Sequence, residues 1–268
     1  MPRAALVDLG AFEFSEFERG ILECLEGLKG FPRFALANAL VHLGKAYVLA
    51  PIDMEMAVFR AITAEEEAAT SLILVLRQRR YRNAKKLKFD RHVHKLGLNE
   101  FIEVIRAHLS SLRGVPNVRL KRKLVRDSKR MTLEIQVGSA WLEPVPPLNL
   151  QSRDDTTKQV YFFSREVAAR LARDGAKSLK DSLRKIADTR NQILYACERG
   201  RPEVVSTDLE QVLGVVRSRV FRFAILIALL FPYRKRAPFV QQAIDAFLKS
   251  VEGIEVEMDY WESPPDIA

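Results

Sequence analysis

AKSLKDSLRKIADTRNQILYACER, residues Ala176–Arg199, is the stretch on which the reading of this chain turns. Its apolar residues Leu179, Leu183, Ile186, Ile193 and Cys197 recur in steps of four, three, seven and four. A stripe of that period marks a helix that turns one face toward a partner surface. The long step skips one position of the stripe, and Arg190 occupies it. A guanidinium there needs a carboxylate partner or a wet, polar cleft, because an unpaired buried charge costs several kcal/mol.

A second helix carries the complementary irregularity. Residues Asp53–Gln78 place Phe59, Ile62, Ala69, Ile73 and Leu76 on one stripe, and Glu66 fills its remaining slot. The economical inference is that Glu66 and Arg190 share one polar pocket, where a bidentate carboxylate–guanidinium pair satisfies most of the donors. The plainer reading is an ion pair that only holds the helices together.

The rest of the chain supplies further helices around these two. Glu16–Leu28 has Phe17, Ile21, Cys24 (or Leu25) and Leu28 on one face, with Gly30 and Pro32 as stops. Phe34–Leu49 runs its stripe through Phe34, Ala37, Val41 and Val48, with Lys45 beside it, and ends at Pro51. Asn99 is placed to cap a helix through Phe101, Ile105, Leu109 and Leu112, and Ser164 one through Leu171. Thr207-Asp208 opens a long helix that Pro232 stops near Phe231, and Pro238–Val251 makes the last.

Between Gly114 and Phe163 the pattern changes. Met131–Val137 (MTLEIQV) alternates as a strand, Gly138-Ser139 is a turn, and Pro144, Pro146 and Pro147 make a loop. Val160–Phe163 is a candidate second strand. The expectation is a mainly α protein, one helical domain over residues 1–268, with a β-hairpin and proline-rich loop inserted at 114–163. An acidic tail follows at 252–268, either a disordered end or a segment that lies on the chain's own basic surface.

The chain carries a net charge of +9 with a pI near 9.6, which favours a polyanion as partner. The charge is concentrated in residues 77–95, where Arg79, Arg80, Arg82, Lys85, Lys86, Lys88 and Lys95 interleave with Tyr81 and Phe89. A second run, 119–130, contains Lys121, Arg122 and Lys123. Such runs either bind RNA backbone and stacked bases or form a solvated basic face.

Cys24 and Cys197 stand far apart without a CxxC spacing, as expected of a reducing compartment. The N-terminus lacks a secretory pattern, and Val220–Phe231 is too short to span a bilayer and contains Arg222. A cytoplasmic protein with no membrane association is expected. The histidines His42, His92, His94 and His108 form no metal-ligand motif, and no phosphate-loop, dinucleotide or nucleophile-elbow pattern occurs. Neither metal nor cofactor is expected.

Thr189–Ala196 (TRNQILYA) near a helix end, the acidic mid-helix AEEEAA at 64–69, and Phe89-x-x-His92-x-x-Lys95 after it together resemble the HEPN superfamily, in its AbiV-like branch. The resemblance implies a HEPN-like helical bundle, RNA as partner, a homodimer, and a phage-defence (abortive-infection) or toxin–antitoxin setting with an antitoxin or defence-system protein as a further partner. It also implies metal-independent endoribonuclease action, with Arg190 and Asn191 on phosphate and sugar, Glu66 orienting Arg190, and His92 or Tyr195 moving the proton. Active members place a histidine four to six residues after the arginine; here Tyr195, Ala196 and Cys197 stand at or beside those positions. Two alternatives follow: a non-catalytic helical adaptor or antitoxin-like module, and a sequence-neutral nucleic-acid-binding protein acting through 77–95 and 119–130.

Overall fold

The computed structural model describes residues 13–111, 117–125, 127–154, 156–175 and 209–252. Those residues are mainly helical, with one small antiparallel sheet. Ala176–Arg199, with Arg190, Asn191 and Tyr195, lies outside them, as does the acidic tail beyond residue 252.

The first helix, α1 (Glu16–Cys24), starts at a capping box: Ser15 Oγ accepts from the Glu18 amide, and the Glu18 carboxylate accepts from the Ser15 amide. It ends four residues before the expected Leu28, although Leu25 and Leu28 are still buried. Phe17, expected on the inner face, is 59% exposed. The inner face passes instead through Glu18, which takes both arms of the Arg217 guanidinium at 2.6 and 2.5 Å.

Helix α2 (Phe31–Leu49) and helix α3 (Met54–Gln78, capped by Asp53) form a hairpin across a short turn. Their cross-contacts, Pro32–Ser71, Asn38–Glu67 and His42–Arg60, keep a nearly constant sum of residue numbers, as antiparallel neighbours must. Ala35, Ala39 and Ala46 on α2 and Ala57, Ala61, Ala64 and Ala68 on α3 are buried. Small side chains at such positions let two helix backbones approach closely. The stripe expected for α2 is wrong: Phe34 is 68% and Val48 45% exposed, while Leu36, Leu40 and Leu43 are buried. An apolar residue on nearly every side of α2 makes its periodicity ambiguous, and the alanine face wins because it fits α3.

After α3 the chain makes a tight turn that includes a short 3-10 segment, Ala84–Lys86. The Arg77 guanidinium donates to the carbonyls of Ala84, Lys85 and Leu87 and braces it. Helix α4 (His92–Ser111) begins seven residues before the expected Asn99 cap and runs through Gly97. A mid-helix glycine costs about 1 kcal/mol; burial of Leu96, Leu98, Asn99 and Glu100 around it compensates.

The insertion is a three-stranded meander: β1 (Val118–Val125), β2 (Ser128–Val137) and β3 (Ala140–Leu142). The expected strand lies within β2, paired with β3 across the Gly138 turn. The second basic run is itself β1 and the hairpin to β2, paired Arg119 to Glu134 and Lys121 to Thr132. Val160–Phe163 is not a strand; only Val160 bridges, to Arg153. Phe163 has φ +57° and precedes helix α5 (Ser164–Asp174), so the cap falls one residue before Ser164.

Helices α6 (Leu209–Leu230) and α7 (Pro238–Glu252) close the core, α6 against α3 and α7 against α4. Phe223, Phe247 and Phe163 are fully buried there. Among the described residues no helix is long and apolar enough to cross a membrane.

Candidate active site and nucleic-acid interface

Near its middle, α3 carries two consecutive acids, Glu65 and Glu66, both almost fully buried. Successive residues on a helix point about 100° apart, so the two carboxylates serve different neighbours. Glu66 reaches the first turn of α4: Oε1 lies 2.7 Å from His92 Nδ1 and Oε2 3.2 Å from Lys95 Nζ. His92 and Lys95 are three apart, so both side chains face the same way. A lysine in the first turn of a helix opposes its macrodipole, and the Glu66 carboxylate relieves that conflict for Lys95. Lys95 is buried with Glu66, whereas the His92 side chain is 43% exposed. Two residues anticipated from sequence, Glu66 and His92, therefore meet, and the early start of α4 brings Lys95 with them.

Glu65 turns the other way, to Arg219 of α6 at 3.3 Å. Arg219 also approaches Glu100 at 3.5 Å, and Arg170 of α5 holds Glu100 at 2.5 Å. Arg222 binds Asn99 at 3.0 Å and pairs with Glu103. Burial pushes the Glu65 carboxyl up, and Arg219 only partly counters it. None of Glu65, Glu100, Arg170 or Arg219 stands out in sequence as a site residue, because the helices that bring them together are far apart in the chain.

A second polar cluster also escaped the sequence reading. His108 Nδ1 is 2.9 Å from Glu166 Oε1, and Nε2 is 3.2 Å from Ser152 Oγ. Tyr161 stacks on the imidazole, centroids 4.4 Å apart, and its hydroxyl donates to Glu166. The connectivity has the order of an acyl-transfer triad, but the Ser152 amide is committed to Gln242 Oε1 and cannot serve an oxyanion. Gln242 also donates to the Ser152 and Tyr161 carbonyls. The cluster is a clamp tying the loop before α5 to α4 and α7.

The basic residues divide sharply. Arg79 donates to the Phe231 carbonyl, Arg82 pairs with Asp245, and Lys95 serves Glu66. Lys121 pairs with Glu134, Arg122 with Glu23 and Lys123 with Glu143. Arg80, Lys85, Lys86 and Lys88 are exposed and have no carboxylate partner among the described residues. Basic runs read as one surface in sequence are thus partly consumed by internal pairing.

Among the described residues no group of three or more His, Cys, Asp or Glu side chains is placed to hold a metal ion. Comparison with models of known families, with curated proteins and with solved structures finds no match to this chain.

Proposed function

We propose that this chain is an RNA-binding protein of HEPN-like kind and a metal-independent endoribonuclease, working in a phage-defence or toxin–antitoxin setting. The observation that supports the reading is the contact of Glu66 with His92 at 2.7 Å. A buried carboxylate on Nδ1 fixes the orientation of a half-exposed imidazole, a group suited to proton transfer near neutral pH. Metal-free cleavage needs the 2′-hydroxyl to lose its proton while attacking the adjacent phosphorus. The bond to the 5′-oxygen then breaks, that oxygen takes a proton, and a 2′,3′-cyclic phosphate remains. His92 is assigned the proton transfer, with Tyr195 as the other candidate. Arg190 is assigned to the phosphate charge and Asn191 to the sugar. The protein is taken as cytoplasmic and, following the resemblance, as a homodimer.

The test is RNA cleavage in EDTA by the purified protein and by Arg190→Ala and His92→Ala variants of matched stability. Cleavage by the wild type, lost in both variants, is the expected result. The Glu65–Arg219–Glu100–Arg170 network beside Glu66 favours one other reading, in which all these pairs only hold a bundle together in an adaptor or antitoxin-like module. No cleavage from any of the three proteins selects that reading.

A further inference from the structure

The turn between α6 and α7 reads Phe231-Pro-Tyr-Arg-Lys-Arg-Ala237. It is pinned at both ends. The Phe231 carbonyl accepts the Arg79 guanidinium, and the Ala237 amide donates to the Tyr81 hydroxyl at 3.0 Å. Between these anchors Arg234, Lys235 and Arg236 are exposed. Arg236 donates to the Arg80 carbonyl at 3.2 Å, which sets it beside the exposed end of the first basic run. On the other side the Arg130 guanidinium lies over the Tyr233 ring, 6.0 Å from its centroid. Three basic stretches far apart in sequence therefore adjoin: residues 80–88, the turn, and the hairpin end of β2.

The charges at the middle of this strip are not neutralised by any described residue. Among the described residues Arg80, Arg234, Lys235 and Arg236 have no carboxylate partner. Asp245, which pairs with Arg82, is also engaged by Asn83 and Gln241, and Glu143 is engaged by Lys123. Cations held on a pinned turn lose less freedom on binding than cations on a free tail. A surface that inserts into lipid pairs its cations with exposed apolar side chains. The exposed large apolar residues here lie on α1, α2 and α6, in the turn after α2, at Leu109, and on the sheet and the loop after it; none lies in 80–88 or 231–237.

We propose that Arg234, Lys235 and Arg236, flanked by Arg80 and Arg130, form a phosphate-binding strip that carries single-stranded RNA from residues 80–88 to the sheet. The inference rests on the RNA-binding reading and adds to it residues outside both basic runs. Each neutralised phosphate of a single strand contributes about 0.7 to the slope of log affinity against log salt.

Anisotropy of a fluorescein-labelled oligouridylate, titrated across a salt series, tests it. Arg234→Gln/Lys235→Gln/Arg236→Gln should lower affinity and flatten the slope by about 2. Lys29→Gln/Arg33→Gln/Lys45→Gln removes equal charge elsewhere and should leave the slope within about 0.7 of wild type. Should the triple variant fail to fold, the single reversal Lys235→Glu at an exposed position carries the same test, with a weaker flattening expected. Wild-type binding with an unaltered slope in the strip variants overturns this inference and leaves the RNA reading standing. No salt-dependent binding by the wild type overturns both. Strip-dependent binding to phosphatidylserine vesicles, without RNA binding, reassigns the strip to a membrane surface and overturns it as well.

Discussion

Removing the Glu66 carboxylate should cost this protein a large part of its stability, chiefly through Lys95. The Lys95 side chain is 10% exposed, and Glu66 Oε2 at 3.2 Å is its described carboxylate. Breaking a buried pair from one side leaves an uncompensated charge and costs about 3–5 kcal/mol. Glu66→Ala should fall in that range, against a total of about 5–15 kcal/mol for an ordinary domain. Lys95→Met should also destabilise, because it strands the carboxylate with His92 alone. Glu66→Ala combined with Lys95→Met removes both charges, so the double variant should be more stable than the sum of the singles predicts. A coupling of about 1–3 kcal/mol is expected from urea midpoints followed by far-UV circular dichroism at neutral pH. His92→Ala breaks a half-exposed contact and should cost about 1 kcal/mol or less. Lys95 thus carries more of the stability than His92. A cost under about 1 kcal/mol for Glu66→Ala, with additive singles, would show that no buried ion pair exists here.

Two further outcomes follow from titratable groups. Burial, then bonding to Glu166, pushes the Tyr161 phenol up to about 12. Its folded value lies above the unfolded one, so its contribution is complete below about pH 10 and is lost as pH rises toward the folded value. Phenolate absorbance of wild type minus Tyr161→Phe should show its step near pH 12; a step near pH 10 would refute the clamp. Burial raises Glu65, so in the window above the ordinary glutamate range the native state holds more proton than the unfolded chain, and stability falls as pH rises. Arg219→Met should extend that fall to higher pH and Glu65→Gln should abolish it, as read from urea midpoints across a pH series above the ordinary glutamate range; the same pH dependence in all three proteins would refute it.

The apolar stripe of α2 shows where periodicity stops being informative. Phe34 and Val48 fall on a helical repeat as regular as that of the buried face. Only the alanines of α3, which allow a close approach on one side, decide between the two. The same holds for α4. Gly97 and Asn99 carry strong local signals for a break and a cap, yet the helix runs through both because Glu66 and the core reward its first two turns. At the site, the position of Glu66 in an apolar stripe was enough to mark it as a group needing a partner. The identity of its described partners, His92 and Lys95, was not legible from that position.

What the residues determined by themselves was local: the stops at Pro51 and Pro232, and the run from Asp53 to Gln78 as one long helix. A proline breaks a helix through its own ring and missing amide, so no distant contact is needed to read it. Tertiary structure alone decided which cations have a carboxylate beside them. Lys121, Arg122 and Lys123 are as basic in sequence as Arg234, Lys235 and Arg236, but the first three meet Glu134, Glu23 and Glu143. Whether a charge meets a carboxylate depends on a second stretch of chain being folded against it, and one-dimensional order does not contain that information.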